Sequence, residues 1–148
     1  MAGPTENGQY WIEDVVAGRW SALERNTVMK QEAEADGPDV TIVVEQEPGS
    51  GGKESAEITV KDLAGYDVYA HAVGAAEGNK IIRSRPLRAQ AEAGNILLVA
   101  GEWVEPFLRQ AHNFAPGTGL KDMIDAAAGA FIWLTGIHDK PKKRARWR

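Results

Sequence analysis

Hydrophobic residues recur along the chain in two spacings, one typical of strands and one typical of helices. Continuous or alternating apolar runs, which favour β-strands, occupy residues 10–16, 40–44, 66–73 and 96–100. Apolar positions three and four residues apart predict helices over about residues 21–35, 56–64, 86–93, 105–112 and 122–134. The order β-α-β-α-β-α-β-α-α indicates an α/β fold with a partly parallel sheet.

Local signals mark where several of these elements begin and end. Ser21 and Glu24 form a capping box that opens the first helix, and Gly37 ends that helix. The pair Asn7 and Gly8 predicts a hairpin turn, but only six residues precede it and one of them is proline. We therefore expect no full-length partner strand, as though the chain began partway through a β-meander.

The size and charge of the chain predict one folded domain with a charged end. At 148 residues and 43% hydrophobic content, we expect a single domain over residues 1–139. Residues 140–148 hold six cations, and the remainder has 11 basic and 21 acidic residues, a net charge of −10. This basic, flexible tail can bind a phosphate backbone or an acidic partner, or it can be a solvated end.

Composition also limits the classes of function. The chain has no cysteine, which excludes disulfides, thiolate metal sites and cysteine nucleophiles. No apolar run reaches the roughly 18–20 residues of a membrane span, and the first residues lack the pattern of a signal peptide. We expect a cytoplasmic protein without a membrane partner.

The segment TIVVEQEPGSGGKES, residues 41–55, joins a predicted strand to a glycine-rich loop. A phosphate-binding P-loop would need a glycine where Glu47 stands and a hydroxyl where Glu54 stands, so we expect no nucleotide binding there. The glycines then predict a tight connection from strand to helix. Glu45 remains unexplained, because it would lie at the carboxyl end of a buried strand, where α/β sheets place their ligands.

Acidic residues form the best candidate for a chemical site. A carboxylate at the predicted position of Glu45 requires a cationic partner. Asp122 and Asp125 lie three residues apart at the start of the last predicted helix. Such carboxylates suit a hard divalent ion, Mg²⁺ or Mn²⁺. Alternatively, Asp122 is a helix N-cap and Asp125 a first-turn acid favoured by the helix dipole. No ligand spacing relates the histidines, which are His71, His112 and His138.

Four segments occur in the order found in one known family. They are YWIEDVVAGRWS, VVEQEPGSGGKES, RSRPLRAQAEAGNILLV and GLKDMIDAAAGAF. In these segments the chain resembles the C-terminal nuclease domain of tailed-phage terminase large subunits. The resemblance implies a ribonuclease H-like mixed sheet flanked by helices. It also implies a metal-dependent endonuclease that cuts double-stranded DNA during genome packaging. Such a protein would act in the cytoplasm of a bacterial host or be encoded by a prophage.

The resemblance assigns roles to particular residues. Glu45 and Asp122 match catalytic metal ligands, and Asp125 matches the companion ligand one turn later. Many family members carry two adjacent aspartates here, whereas this chain has Lys121 in the first of those places. Lys80 and Arg83 resemble basic residues that meet DNA phosphate. Lys53, at the end of the glycine loop, is a further candidate DNA contact.

Two parts of the family's pattern are missing, and they shape the expected activity. In the family, the leading metal-binding aspartate lies on a strand that precedes the one matched here by residues 10–16. We therefore expect an N-terminally truncated domain with impaired cleavage. The separate ATPase domain of the packaging motor is also missing, so we expect that the chain cannot drive translocation alone. The expected partners are a terminase ATPase domain or another chain that supplies the missing strand. The alternative is a catalytically inactive remnant that acts as a DNA-binding or oligomerising module. Its open sheet edge would favour a homodimer.

Overall fold

A computed structural model describes the protein at residues 1–73, 80–114 and 121–136. The described residues form helices and strands in an alternating order, which makes the fold mixed α/β. In chain order these are β1 (Tyr10–Ile12), α1 (Ala22–Asp36), β2 (Thr41–Gln46), α2 (Ser50–Asp62), β3 (Asp67–Ala72), α3 (Lys80–Arg83), α4 (Arg85–Glu92), β4 (Ile96–Leu98), α5 (Val104–His112) and α6 (Asp122–Thr135). Most of the predicted loops at residues 74–80 and 115–121 lie outside the described residues, as does the whole basic tail.

The chain folds as two compact units, which are described separately. The first unit comprises Met1–Ala17 and Asn79–Arg148, and the second comprises Gly18–Gly78. The first unit contains the parallel pair β1–β4 and the second contains the parallel pair β2–β3. The small sheets are therefore parallel, in agreement with the predicted parallel component.

In the first unit, β1 is shorter than predicted. Its three residues pair with β4 from Tyr10 opposite Ile96 to Ile12 opposite Leu98. The predicted strand over residues 10–16 is wrong beyond Ile12, because β4 is equally short and offers no further ladder. The predicted hairpin turn exists. In place of a full partner strand, a single antiparallel bridge joins Ala2 and Trp11 through two backbone hydrogen bonds of 2.9 Å.

Helix α6 supplies much of the core of the first unit. Its apolar residues pack with β1, α4 and α5 in a cluster of buried side chains formed by Ile12, Leu87, Phe107, Met123, Ile124, Ala127, Ala128 and Phe131. The ring of Tyr10 meets that of Phe131 edge-on, with centroids 4.8 Å apart. Burial of this stripe fixes the rotation of α6 about its axis and so decides where its polar residues point.

In the second unit, the predicted caps of α1 are confirmed. The Glu24 N–H donates to Ser21 Oγ at 3.3 Å, and the Ser21 N–H donates to Glu24 Oε2 at 2.8 Å. The Ser21 backbone N–H and then its hydroxyl hold the pKa of Glu24 below its usual value. Gly37 ends the helix, with its N–H bonded to the Ala33 carbonyl at 3.1 Å.

The expectation that β2 is a buried strand is wrong. Within the part of the chain that the structure describes, β2 pairs with β3 alone, from Thr41 opposite Asp67 to Gln46 opposite Ala72. Every residue of β2 is therefore half-buried or exposed. Its β-branched run reflects strand propensity more than deep burial.

The glycine connection after β2 is tighter than the sequence indicated. Gly49 has a φ of +100°, and α2 begins at the next residue, Ser50, so the later glycines lie inside the helix. A Cβ on Gly52 would stand 2.1 Å from the Glu47 carbonyl oxygen. The loop thus turns by close backbone approach, which only glycine allows at that position.

Among the described residues, no helix combines the length and the apolar character required to cross a lipid bilayer.

Candidate functional site

The two aspartates at the start of α6 have opposite environments. Asp122 is the first residue of the helix and its side chain is 75% exposed, whereas the side chain of Asp125 is 8% exposed. Asp125 lies one turn before the fully buried Ala128 and therefore shares the face that packs on the core. A carboxylate in that position requires cationic or hydrogen-bonding partners.

Those partners come from α3, a helix of four residues that the sequence did not predict. Arg83 donates from Nε to Asp125 Oδ1 at 2.9 Å, and its Nη2 donates to the same oxygen. The Arg83 side chain is only 7% exposed. The two residues therefore form a buried, charge-assisted ion pair that joins α3 to α6.

Lys80 connects both carboxylates. Its Nζ lies 3.1 Å from Asp122 Oδ1 and 3.1 Å from Asp125 Oδ2. Burial alone would lower the pKa of Lys80, but the hydrogen bonds to Asp125 and then Asp122 outweigh that effect and raise the pKa. One ammonium group is thus shared by two carboxylates one helical turn apart, and each oxygen of Asp125 faces a cation.

The interpretation of Asp122 as a helix N-cap is wrong. The N-cap residue of α6 is Lys121, whose side chain makes no capping hydrogen bond, and the Met123 N–H in the first turn donates to Gln110 Oε1 at 3.1 Å. Asp122 instead carries the ion pair with Lys80. Both aspartates do lie in the first turn, where the helix dipole favours a negative charge.

The structure brings together four of the predicted site residues, namely Lys80, Arg83, Asp122 and Asp125. The sequence predicted DNA contacts for the two basic residues and metal binding for the two acidic ones. In the folded chain the basic groups bond to the acidic ones. Arg83 is enclosed in the first unit, whereas Lys80 is 44% exposed and lies where a ligand from solvent can reach it.

Glu45 and Lys53 lie in the second unit. Glu45 is the second-last residue of β2, stands opposite His71 in the parallel register, and is exposed. The expectation of a costly carboxylate at the end of a buried strand is therefore wrong, because no residue of β2 is buried and Glu45 itself is exposed. Lys53 lies in the first turn of α2, 66% exposed and 3.8 Å from Glu57.

The chemistry available for a metal ion is that of carboxylate oxygens. Among residues 1–73, 80–114 and 121–136, no group of three or more histidine, aspartate or glutamate side chains is placed to hold a metal ion. The pair Asp122 and Asp125 offers two hard oxygen donors that already share one cation, the Lys80 ammonium. These donors are of the type that Mg²⁺ and Mn²⁺ select.

A cavity of about 700 Å³ in the first unit was not foreseen from the sequence. It opens where β1 and β4 end, at the carboxyl edge that parallel strands commonly use for ligands. Its walls include Glu13, Asp14 and Glu102, with Trp103 and Met123 among the apolar lining residues. Three carboxylates would repel a phosphate group, so the cavity itself does not favour nucleotides.

Helix α3 is the main feature that sequence reasoning missed. Lys80 and Arg83 are three residues apart, and so are Asp122 and Asp125, so each pair occupies one face of a helical turn. This matching spacing of opposite charges was the available signal.

Comparison with known proteins adds no further assignment: no protein-family model matches the chain, and no curated protein or solved structure is significantly similar to it.

Proposed function

We propose that the chain is a divalent-metal-dependent DNA endonuclease domain of the terminase type, with a ribonuclease H-like fold and impaired activity as an isolated chain. The four sequence segments in family order support the reaction class. The observation that carries the proposal is the convergence of the Asp122 and Asp125 carboxylates on one cation. Nucleases that use divalent ions need such carboxylates from a rigid element.

The residues of the first unit fit Mg²⁺ or Mn²⁺ in donor type and accessibility. The Lys80 ammonium occupies the position proposed for the metal ion, since it bonds to one oxygen of each aspartate at 3.1 Å. Asp122 is exposed and can receive an ion from solvent. A bound ion would supply Lewis-acid polarisation of the phosphodiester and a water of lowered pKa.

The side chains of this site have distinct tasks in the proposal. Asp122 is the accessible ligand, and Asp125 is the ligand whose direction Arg83 fixes through two hydrogen bonds to Oδ1. Lys80, half-exposed beside them, can contact a DNA phosphate. Glu45 and Lys53 are further candidates, a metal ligand and a DNA contact, which the sequence alone assigns.

A plasmid-nicking assay tests the proposal. Supercoiled DNA with Mn²⁺ should be nicked slowly by the native chain, and EDTA should stop the reaction. Asp122→Ala and Glu45→Ala should each lower the rate at least about tenfold, since each removes a proposed metal ligand. Asp36→Ala, at the exposed end of α1, is the matched control and should keep the native rate. Strong cleavage that survives both site substitutions would refute the site assignment.

A second candidate function is a non-catalytic module that binds DNA or oligomerises. The observation in its favour is that both oxygens of Asp125 are engaged by Arg83 and Lys80, so that protein cations already compensate this carboxylate. This candidate predicts DNA binding in fluorescence anisotropy without nicking, unchanged by Mn²⁺ or by Asp122→Ala. Light scattering would show whether a homodimer forms.

A further inference from the structure

We propose that Lys80 acts as an internal cation that competes with the divalent ion for Asp122 and Asp125. The inference rests on the proposed function, because it concerns the metal affinity of the same carboxylates. It adds a regulatory element that the proposed function does not require. The ion must displace the lysine before it can bind both aspartates.

The positions of the charged atoms make the two cations mutually exclusive. Lys80 Nζ lies between Asp122 Oδ1 and Asp125 Oδ2, at 3.1 Å from each. A metal ion that used the same two oxygens would have to share the space that the ammonium occupies. Because like charges a few ångströms apart repel, an ion and the Lys80 ammonium cannot both be bound there favourably.

The local charge balance points in the same direction. Asp122 and Asp125 contribute two negative charges, and Lys80 and Arg83 contribute two positive charges. With both basic groups in place the cluster is neutral and attracts a further cation weakly. Without the lysine, one net negative charge and two free carboxylate oxygens are available to a divalent ion.

Lys80 rather than Arg83 is the exchangeable member of the cluster. The Arg83 side chain is 7% exposed and is held by two hydrogen bonds to Asp125 Oδ1. The Lys80 side chain is 44% exposed, and its flexible stem can turn the ammonium into solvent. Arg83 therefore orients Asp125 permanently, whereas Lys80 occupies the site only until a stronger cation arrives.

Direct measurement of Mn²⁺ binding to the complete chain tests this competition. The electron paramagnetic resonance signal of free Mn²⁺ gives the bound fraction without any cleavage assay. Lys80→Met should bind Mn²⁺ at least about tenfold more tightly than the native chain, since one adjacent positive charge is removed. Lys80→Arg keeps the charge and should bind like the native chain.

The controls separate a local effect from a change in net charge. Lys30→Met removes one charge from an exposed position of α1, to which no role in the site is assigned, and should leave Mn²⁺ affinity unchanged. The double variant Lys80→Met with Asp122→Ala should lose the gain. Circular dichroism verifies folding, and Lys80→Gln replaces the methionine variant under the same criterion if that variant does not fold.

The outcomes distinguish this inference from the proposed function. Tighter binding by Lys80→Met that depends on Asp122 supports the competition. If the native chain binds Mn²⁺ through Asp122 and Lys80→Met binds equally or more weakly, the competition is refuted and the metal site stands. If neither chain binds Mn²⁺, the proposed metal site fails and the competition fails with it.

Discussion

Asp125 is the residue at which the candidate site and the stability of the fold meet. Its carboxylate is 8% exposed on the core face of α6, and Arg83, 7% exposed, lies against it. Removing one partner from a buried ion pair leaves the other charge desolvated and uncompensated. The Asp125 side chain, which is proposed to bind metal, is thus also required to compensate the buried charge of Arg83.

We expect Asp125→Asn to lower the free energy of unfolding by about 3–5 kcal/mol, the usual cost of breaking a buried pair. The near-isosteric Asp122→Asn, at a 75% exposed position, should cost less than about 1 kcal/mol. Urea denaturation of the two variants measures the difference. Equal costs would contradict a structural role for the Asp125–Arg83 pair.

The sequence identified the two aspartates but not their partners. Their spacing of three residues put both on one side of a helical turn, which only requires local geometry. The burial of Asp125 and its bond to Arg83 depend on a contact between residues 42 positions apart. The matching spacing of the two charged pairs indicates which faces could meet, but no local pattern specifies the contact itself, so the sequence alone predicts separate metal and DNA sites.

Helix α2 begins where the backbone of the preceding loop lies in close contact with its first turn. Gly51 and Gly52 both lie in its first turn, yet their surroundings differ. A Cβ on Gly52 would come within 2.1 Å of the Glu47 carbonyl oxygen, whereas one on Gly51 would have no neighbour within 4 Å. Adjacent glycines therefore serve different purposes.

We expect Gly52→Ala to destabilise the protein by at least about 1–3 kcal/mol, because the added methyl group forces the backbone of Glu47 to move. Gly51→Ala should be neutral or stabilise by about 0.4–1 kcal/mol, since alanine restricts the unfolded chain and favours a helix. Thermal unfolding of the two variants provides the comparison. The prediction is wrong if Gly52→Ala melts at or above the temperature of Gly51→Ala.

Helix ends were more predictable from the sequence than strand lengths. The ends of α1 follow from Ser21, Glu24 and Gly37, which act through hydrogen bonds within a few residues. The extent of β1 and the exposure of β2 depend on which strand lies beside each and how long it is. The ribonuclease H-like arrangement stays a prediction.

At the scale of the whole molecule, charge is divided unevenly along the sequence. The last nine residues carry six cations, and the rest of the chain has 21 acidic and 11 basic residues. In addition, Lys80 and Arg83 are already bonded to carboxylates. Because the rest of the chain is net acidic, we expect any long-range attraction for DNA to come largely from residues 140–148.

We expect replacement of the six tail cations by glutamine to weaken binding to duplex DNA and to flatten its dependence on salt. Each lost phosphate contact lowers the slope of log K against log salt by about 0.9, or by up to about 5 for six contacts. Fluorescence anisotropy at several salt concentrations measures both effects. Lys30→Gln, which removes one exposed charge from α1 at a residue with no proposed DNA contact, is the control and should leave the slope nearly unchanged.

Helix α3 links the ion pairs of the two aspartates to backbone order. A helix of four residues does not persist by itself, because nucleation costs more than so few hydrogen bonds return. Its first and last residues are bonded to α6 through charged side chains. The Ser84 N–H closes this turn by donating to the Lys80 carbonyl at 3.0 Å. Protection of the Ser84 amide from hydrogen exchange is therefore a readout of the ion pairs, so a ligand that binds Asp122 and Asp125 becomes visible in the backbone of a different helix.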